Sequence, residues 1–216
     1  MLGLLTERGG SLPDSRSLIR LPRMRNPIRL KNLSIRFLPL YLIGIAIFLL
    51  RPPSSEALLL GLPFVGLGAL LRGWGAGHLV KNDVLTTTGP YAYLRHPLYA
   101  GTILIGTGFA LALGGWLSVL AVLALWPWFA FDYFPRKERS EAERLESLYG
   151  GEFVHYRRTV PALWPRWRAW RGSATKEIGE RSWALERYSG NNELGTLLAV
   201  IVCWTGLWLR ASVGGA

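Results

Sequence analysis

Gly89-Pro90-Tyr91-Ala92-Tyr93-Leu94-Arg95-His96-Pro97-Leu98-Tyr99-Ala100-Gly101 is the stretch on which the reading of this chain turns. Gly-Pro sets a turn. Pro97 stands where a helix tolerates proline, in its first turn. Between them lie three tyrosines and an Arg-His pair, and on both sides the sequence is apolar enough to lie in a membrane. Such a helix start favours anionic groups through its backbone N–H groups. Tyr91, Tyr93 and Tyr99 offer flat walls for a base or π faces for a cation. The bland alternative is an interfacial belt, because Tyr and Arg are common at membrane borders.

Composition supports a membrane setting. Half of the 216 residues are hydrophobic, ten are tryptophan, and mean hydropathy is positive. The 25 Lys and Arg against 14 Asp and Glu give a net charge of +11. In a soluble domain that balance would raise nucleic acid as a partner. Here the basic residues fall almost wholly outside the apolar runs, which points instead to membrane topology and anionic lipid. The single cysteine, Cys203, sits in an apolar run and reads as a small hydrophobe. His78, His96 and His155 stand far apart without cysteine partners, so no metal site is expected. No Gly-x-Gly-x-x-Gly follows a strand pattern, so a Rossmann domain is not expected either.

In order, residues 1–36 form a basic juxtamembrane segment with prolines at 13, 22 and 27, and residues 37–210 the membrane domain. Five apolar runs follow: Phe37–Leu50, Ala57–Val80, Leu98–Leu113, Trp116–Phe134 and Leu194–Leu209. The first is short for a span of ~20 residues unless Arg36 snorkels. The second carries Pro63, Arg72, His78 and a glycine set suited to close helix packing. Gly114-Gly115 makes a reversal that pairs the third and fourth runs as a helical hairpin, and Pro135 closes the fourth. Residues 136–149 are expected to be helical with Gly150-Gly151 as the stop. The aromatic and proline-rich tail beyond, to Trp170, is expected along the membrane interface. Eight basic residues precede the first run and twelve lie between the fourth and fifth. The positive-inside rule then puts the N-terminus, the opening stretch and the charged segment together on the cytoplasmic side.

A second constellation spans Arg136-Lys137-Glu138-Arg139-Ser140-Glu141. Lys137 and Glu141 share a helix face, and Asp132 near the end of the fourth run is expected to pair with Arg136. The bland reading is a solvated amphipathic helix. Gly89-Pro90-Tyr91 with Arg95-His96-Pro97-x-Tyr99-x-Gly101, followed by Glu141-x-x-x-Leu145, Tyr149-Gly150, Phe153-x-x-Tyr156 and Val160-Pro161, resembles the two signature blocks of the isoprenylcysteine carboxyl methyltransferase family and related phospholipid methyltransferases. The resemblance covers about residues 70–165.

The resemblance implies an all-α polytopic membrane enzyme of about five transmembrane helices with a cytoplasmic site, using S-adenosylmethionine without a Rossmann domain. It places Tyr91, Arg95, His96, Pro97, Leu98, Tyr99 and Glu141 at the cofactor, within motifs at 81–101 and 136–161. Lys137, aided by Arg136, would orient the methyl acceptor. Lys137 replaces an arginine of the eukaryotic enzymes, and lysine cannot reproduce a bidentate contact. Ala142 stands where the family often has a second glutamate. The acceptor would be a lipophilic small molecule, a lipid-modified molecule or membrane lipid, with no nucleic acid and no metal. A prokaryotic plasma membrane is the expected location. Competing readings are a membrane sterol-type reductase using NADPH and a non-catalytic scaffold; the Glu141 block favours S-adenosylmethionine.

Overall fold

A computed structural model describes residues 51–80, 84–172 and 182–214. The basic segment 1–36, the first apolar run at 37–50 and residues 81–83 lie outside the described residues. Every described regular element is helical: α1 (Ser55–His78), a 3₁₀ turn (Gly89–Ala92), α2 (Pro97–Ala112), α3 (Gly115–Pro127), a π-helical turn (Trp128–Tyr133), α4 (Phe134–Thr159), α5 (Leu185–Gly190) and α6 (Glu193–Gly214).

Among the described residues, three helices are long and apolar enough to cross a membrane: α1, the continuous helix that begins at Gly115, and α6. The chain is therefore an all-α polytopic membrane protein. Leu59, Leu60, Leu67 and Leu70 on α1, Leu120 and Leu123 on α3, and Ile201 and Val202 on α6 turn outward. Such broad apolar exposure suits lipid rather than water. α2 is apolar as well, but its 16 residues fall short of the ~20 that a full crossing takes.

Local chemistry sets these boundaries. The Ser54 hydroxyl caps α1 by accepting from the Ala57 N–H at 3.2 Å, and Glu56 sits favourably in its first turn. At the other end Asn191 donates to the Ala76 and Leu79 carbonyls, and Arg187 to that of Gly77. These bonds occupy carbonyls that the helix end leaves without intrahelical partners. α1 and α2 approach at glycine: a methyl on Gly68 would stand 2.6 Å from the Gly101 carbonyl oxygen, and one on Gly108 would stand 2.7 Å from that of Gly61. Both pairs are seven residues apart on each helix, so one face of each helix repeats the contact. The packing role read from the glycine-rich second run thus has α2 as its partner.

The structure revises two boundaries. Pro135 does not close the fourth run: α3 passes through the π turn directly into α4, with Pro135 in the first turn of α4. A proline lacks an N–H and crowds the preceding turn, and the widened π turn is where an interrupted bonding ladder is tolerated. Nor does Gly150 stop α4. It adopts φ 54°, ψ −132° and kinks the helix, which resumes to Thr159. The resumed turns bury Phe153 and Tyr156 in a cluster with Leu85, Ala142, Val160 and Trp170. The tail expected along the interface is therefore divided, with those residues buried while Trp164 and Trp167 are exposed. Asp132 does pair with Arg136, at 2.5 Å.

A buried ion pair joins three helices near the site. Arg72 Nε and Nη2 donate to the two Glu193 carboxylate oxygens at 2.7 and 2.9 Å, and Nη1 donates to the Leu98 carbonyl and the Thr102 hydroxyl. Glu193, the first residue of α6, is only 4% exposed. Truncating one partner strands the other charge, so Arg72→Ala or Glu193→Ala should cost about 3–5 kcal/mol. The joint Arg72→Met, Glu193→Leu replacement should recover most of that loss, as read by thermal unfolding in detergent.

Candidate active site

The opening stretch takes its shape from a staple. After the 3₁₀ turn, the Arg95 and His96 N–H groups donate to the carbonyls of Pro161 and Ala162 at 2.8 and 3.0 Å. In return the Arg166 and Trp170 N–H groups donate to the Tyr93 and Ala92 carbonyls, at 3.0 and 2.8 Å. The Tyr156 hydroxyl donates to the Tyr91 carbonyl at 2.7 Å, fully buried. Residues 160–170 therefore act as a strap that holds the stretch from the 3₁₀ turn to the start of α2. This corrects one expectation: the Arg95 and His96 N–H groups are occupied by the strap and are not presented to an anion.

Gly89 is required at the start. It has φ 59°, and a methyl there would stand 2.5 Å from the His78 ring. The turn is tight because the end of α1 packs directly beneath it.

Residues 84–86, the stretch 91–96 that the strap holds, α4 and the ends of α1 and α2 line a cavity of about 410 Å³, within the size range of small-molecule sites. All seven residues read from the sequence as cofactor-binding line it: Tyr91, Arg95, His96, Pro97, Leu98, Tyr99 and Glu141. Arg136 and Lys137 do not. Both are exposed on α4, and Arg136 is engaged with Asp132. Sequence reading assigned no part in the site to Arg72, Tyr133 or Arg144, which also line the cavity.

Within the cavity the charges divide into satisfied and unsatisfied groups. Arg95 is satisfied: its guanidinium meets Glu138 at 2.8 Å and donates to the Val160 carbonyl at 2.9 Å. His96 Nδ1 lies 3.4 Å from Glu141 Oε2 but is not aligned as a hydrogen bond. His96 Nε2 and Glu141 Oε2 are buried and have no hydrogen-bond partner in the protein. Buried polar atoms left in this way are costly unless a ligand supplies the partner. His96 is walled by Tyr99 at 5.5 Å and edge-on by Phe134 at 5.4 Å, and Tyr133 meets Tyr99 edge-on at 6.1 Å. Burial, reinforced by Tyr156, Glu141 and Glu193 and partly offset by Arg72, pushes the Tyr91 hydroxyl well above its usual range. It therefore faces the cavity neutral.

The donor set fits S-adenosylmethionine. A buried carboxylate oxygen without a partner suits an ammonium group, and a tyrosine-lined wall suits a sulfonium cation.

The profile of the family described as Phospholipid methyltransferase matches residues 66–151. The chain is 36% identical over 167 residues to the cobalt-zinc-cadmium resistance protein CzcN of Cupriavidus metallidurans, covering 68% of this chain and 74% of that protein. It is 33% identical over 114 residues to the protein-S-isoprenylcysteine O-methyltransferase of Schizosaccharomyces pombe, covering 47% and 46%. It is 36% identical over 126 residues to the nickel-cobalt-cadmium resistance protein NccN of Alcaligenes xylosoxydans xylosoxydans, covering 56% of each. Against the last two proteins the chain therefore spans about half of their length. No solved structure matches. The chain belongs to the S-adenosylmethionine-dependent methyltransferase family that includes the phospholipid and isoprenylcysteine methyltransferases.

Removing the buried hydroxyl with Tyr156→Phe leaves the Tyr91 carbonyl without its partner. The expected loss is about 1–3 kcal/mol, measured as a lower unfolding temperature in detergent. Tyr91 adds a pH signature. Its pKa is raised on folding, so its contribution is complete below the unfolded value of 10.0 and declines as pH rises beyond it. Tyr91→Phe should therefore lessen the fall in unfolding temperature above that pH.

Proposed function

We propose that this protein transfers a methyl group from S-adenosylmethionine to a lipophilic acceptor delivered from the membrane: a carboxylate, a thiol or a lipid headgroup. The observation that carries this reading is the convergence of both sequence blocks on one cavity in which Glu141 Oε2 and His96 Nε2 lack hydrogen-bond partners in the protein. Family membership implies the methyl donor, and it weighs against the nicotinamide-dependent reductase and the scaffold.

In this reading Glu141 holds the ammonium of the cofactor, and His96 Nε2 meets a second polar group of the same ligand. Tyr91, Tyr99 and Tyr133 present aromatic walls to its cationic centre. Pro97 and Leu98 shape the floor, and Arg95 keeps that floor in place through Glu138 and Val160. When bound, the cofactor supplies an electrophilic sulfonium methyl that an acceptor nucleophile displaces in line. The protein's contribution is mainly to position the two reactants and exclude water. Arg136 and Lys137 stand outside the wall, so we assign orientation of an anionic acceptor to Arg144, one turn beyond Glu141 on α4 and at the cavity edge. α2 and α3 lie side by side, with Trp126 donating to the Thr107 hydroxyl at 3.1 Å; in the proposed arrangement they form the hairpin within the bilayer. The distribution of basic residues supports a cytoplasmic face for the cavity and the N-terminus, with residues 37–210 as the proposed enzyme domain.

Titration calorimetry of the detergent-purified chain with S-adenosylhomocysteine tests the reading. Saturable binding is expected, and NADPH should give no heat. Glu141→Gln should weaken binding by about 1–3 kcal/mol, the scale for a hydrogen bond to a charged group. Absence of heat with S-adenosylhomocysteine would overturn the methyltransferase reading, and unchanged affinity in the variant would overturn the role of Glu141.

A further inference from the structure

The strap's backbone holds residues 92–96, which carry part of the cavity wall; the strap itself lines no part of the cavity. Between Glu152 and Lys176 the sequence holds five arginines and three tryptophans and no acidic residue. Trp170 is buried, but Trp164 is 74% exposed and Trp167 fully so, and Arg157, Arg158, Arg168 and Arg171 in the same stretch are exposed. In water two bare indoles a few residues apart would be an anomaly.

Their level relative to the membrane helices explains them. Ala162 and Leu163, immediately before Trp164, pack against Ile103 of α2 and against Phe129 and Phe134 around the π turn. The strap therefore rests beside the π turn, where apolar α3 passes into charged α4, the composition change expected where hydrocarbon gives way to headgroups. Trp128 and Phe131 on the π turn are exposed too. Tryptophan is favoured at that depth because its ring is apolar and its N–H needs a polar partner. Arginines just outside it meet the phosphates of anionic lipid.

We infer that residues 157–171 form a docking surface for anionic phospholipid, with Trp164 and Trp167 inserted at the headgroup boundary and Arg157, Arg158, Arg168 and Arg171 on the phosphates. The occupant is the bilayer in which the protein already sits, so the surface continues the protein–lipid boundary of α2 and α3. The strap's backbone also holds Tyr93, Arg95 and His96, so its seating on lipid steadies the cavity wall.

The test uses the full chain in vesicles of phosphatidylcholine and phosphatidylglycerol at fixed proportion, with bromine on the acyl chains of one lipid at a time. Tryptophan quenching is compared between wild type and Trp164→Phe, Trp167→Phe. The part of the quenching lost in the variant reports the strap. That part should be larger with brominated phosphatidylglycerol, corresponding to a local preference of about fivefold, the scale of one basic side chain near an anionic surface. Arg168→Gln, Arg171→Gln should reduce the preference, as should high salt. Equal quenching in wild type and the tryptophan variant, or equal quenching by the two brominated lipids, would overturn the inference. S-adenosylhomocysteine titration of the same samples reads the cavity separately, so failure of the cofactor reading is distinguishable from failure of this one.

Discussion

The structure depends on satisfying backbone polar groups at a membrane border. Residues 93–96 leave helical geometry beside apolar helices, where water is scarce and an unpaired N–H or C=O is costly. A second non-helical segment, 160–170, solves the problem by exchanging hydrogen bonds with the first. The two blocks of sequence that mark the site are thus the two halves of one backbone staple. Tyr91, His96 and Tyr99 are held by this arrangement rather than by a loop free to move.

Charge is handled by the same logic. Arg72 in a membrane helix would be expensive alone. Here its guanidinium is taken up by Glu193, Leu98 and Thr102, and Arg95 is taken up by Glu138 and Val160. Against this background of paired groups, Glu141 Oε2 and His96 Nε2 are buried atoms without hydrogen-bond partners on residues that line the cavity. A protein that pairs its buried arginines so completely gains no stability from leaving a carboxylate oxygen bare. The cost falls where a ligand can repay it, which is the usual mark of a functional site.

How far the sequence could be read follows from the range of the interactions. Tyr91 through Tyr99 lie on one local stretch, and Glu141 on a helix with clear periodicity, so their convergence on one cavity was legible from motif and topology. The Asp132–Arg136 pair is four residues apart and was legible for the same reason. The Arg72–Glu193 pair closes over 121 residues, and nothing local to either residue announces the other. Pro135 and Gly150 misled because each is a strong local breaker; tertiary packing of Phe134, Phe153 and Tyr156 outweighed that signal. Arg95 shows a subtler limit. Its motif points to the cavity, and it does line it, but its polar contacts go to Glu138 and Val160. A motif residue can belong to a site by supporting the wall.

The kink at Gly150 links these observations. Upstream of it, α4 carries Glu141 and Arg144 along the cavity; downstream, the redirected turns bring Phe153 and Tyr156 under Tyr91 and lead to the strap. A straight helix could not do both, because a continuous axis from Glu141 would carry Tyr156 about 22 Å further along at 1.5 Å per residue. Glycine permits the bend through a backbone conformation closed to other residues, and open space around it means that conformation alone, not crowding, calls for glycine there. The position of the cavity wall relative to Glu141 is therefore set by one residue that does not line the cavity.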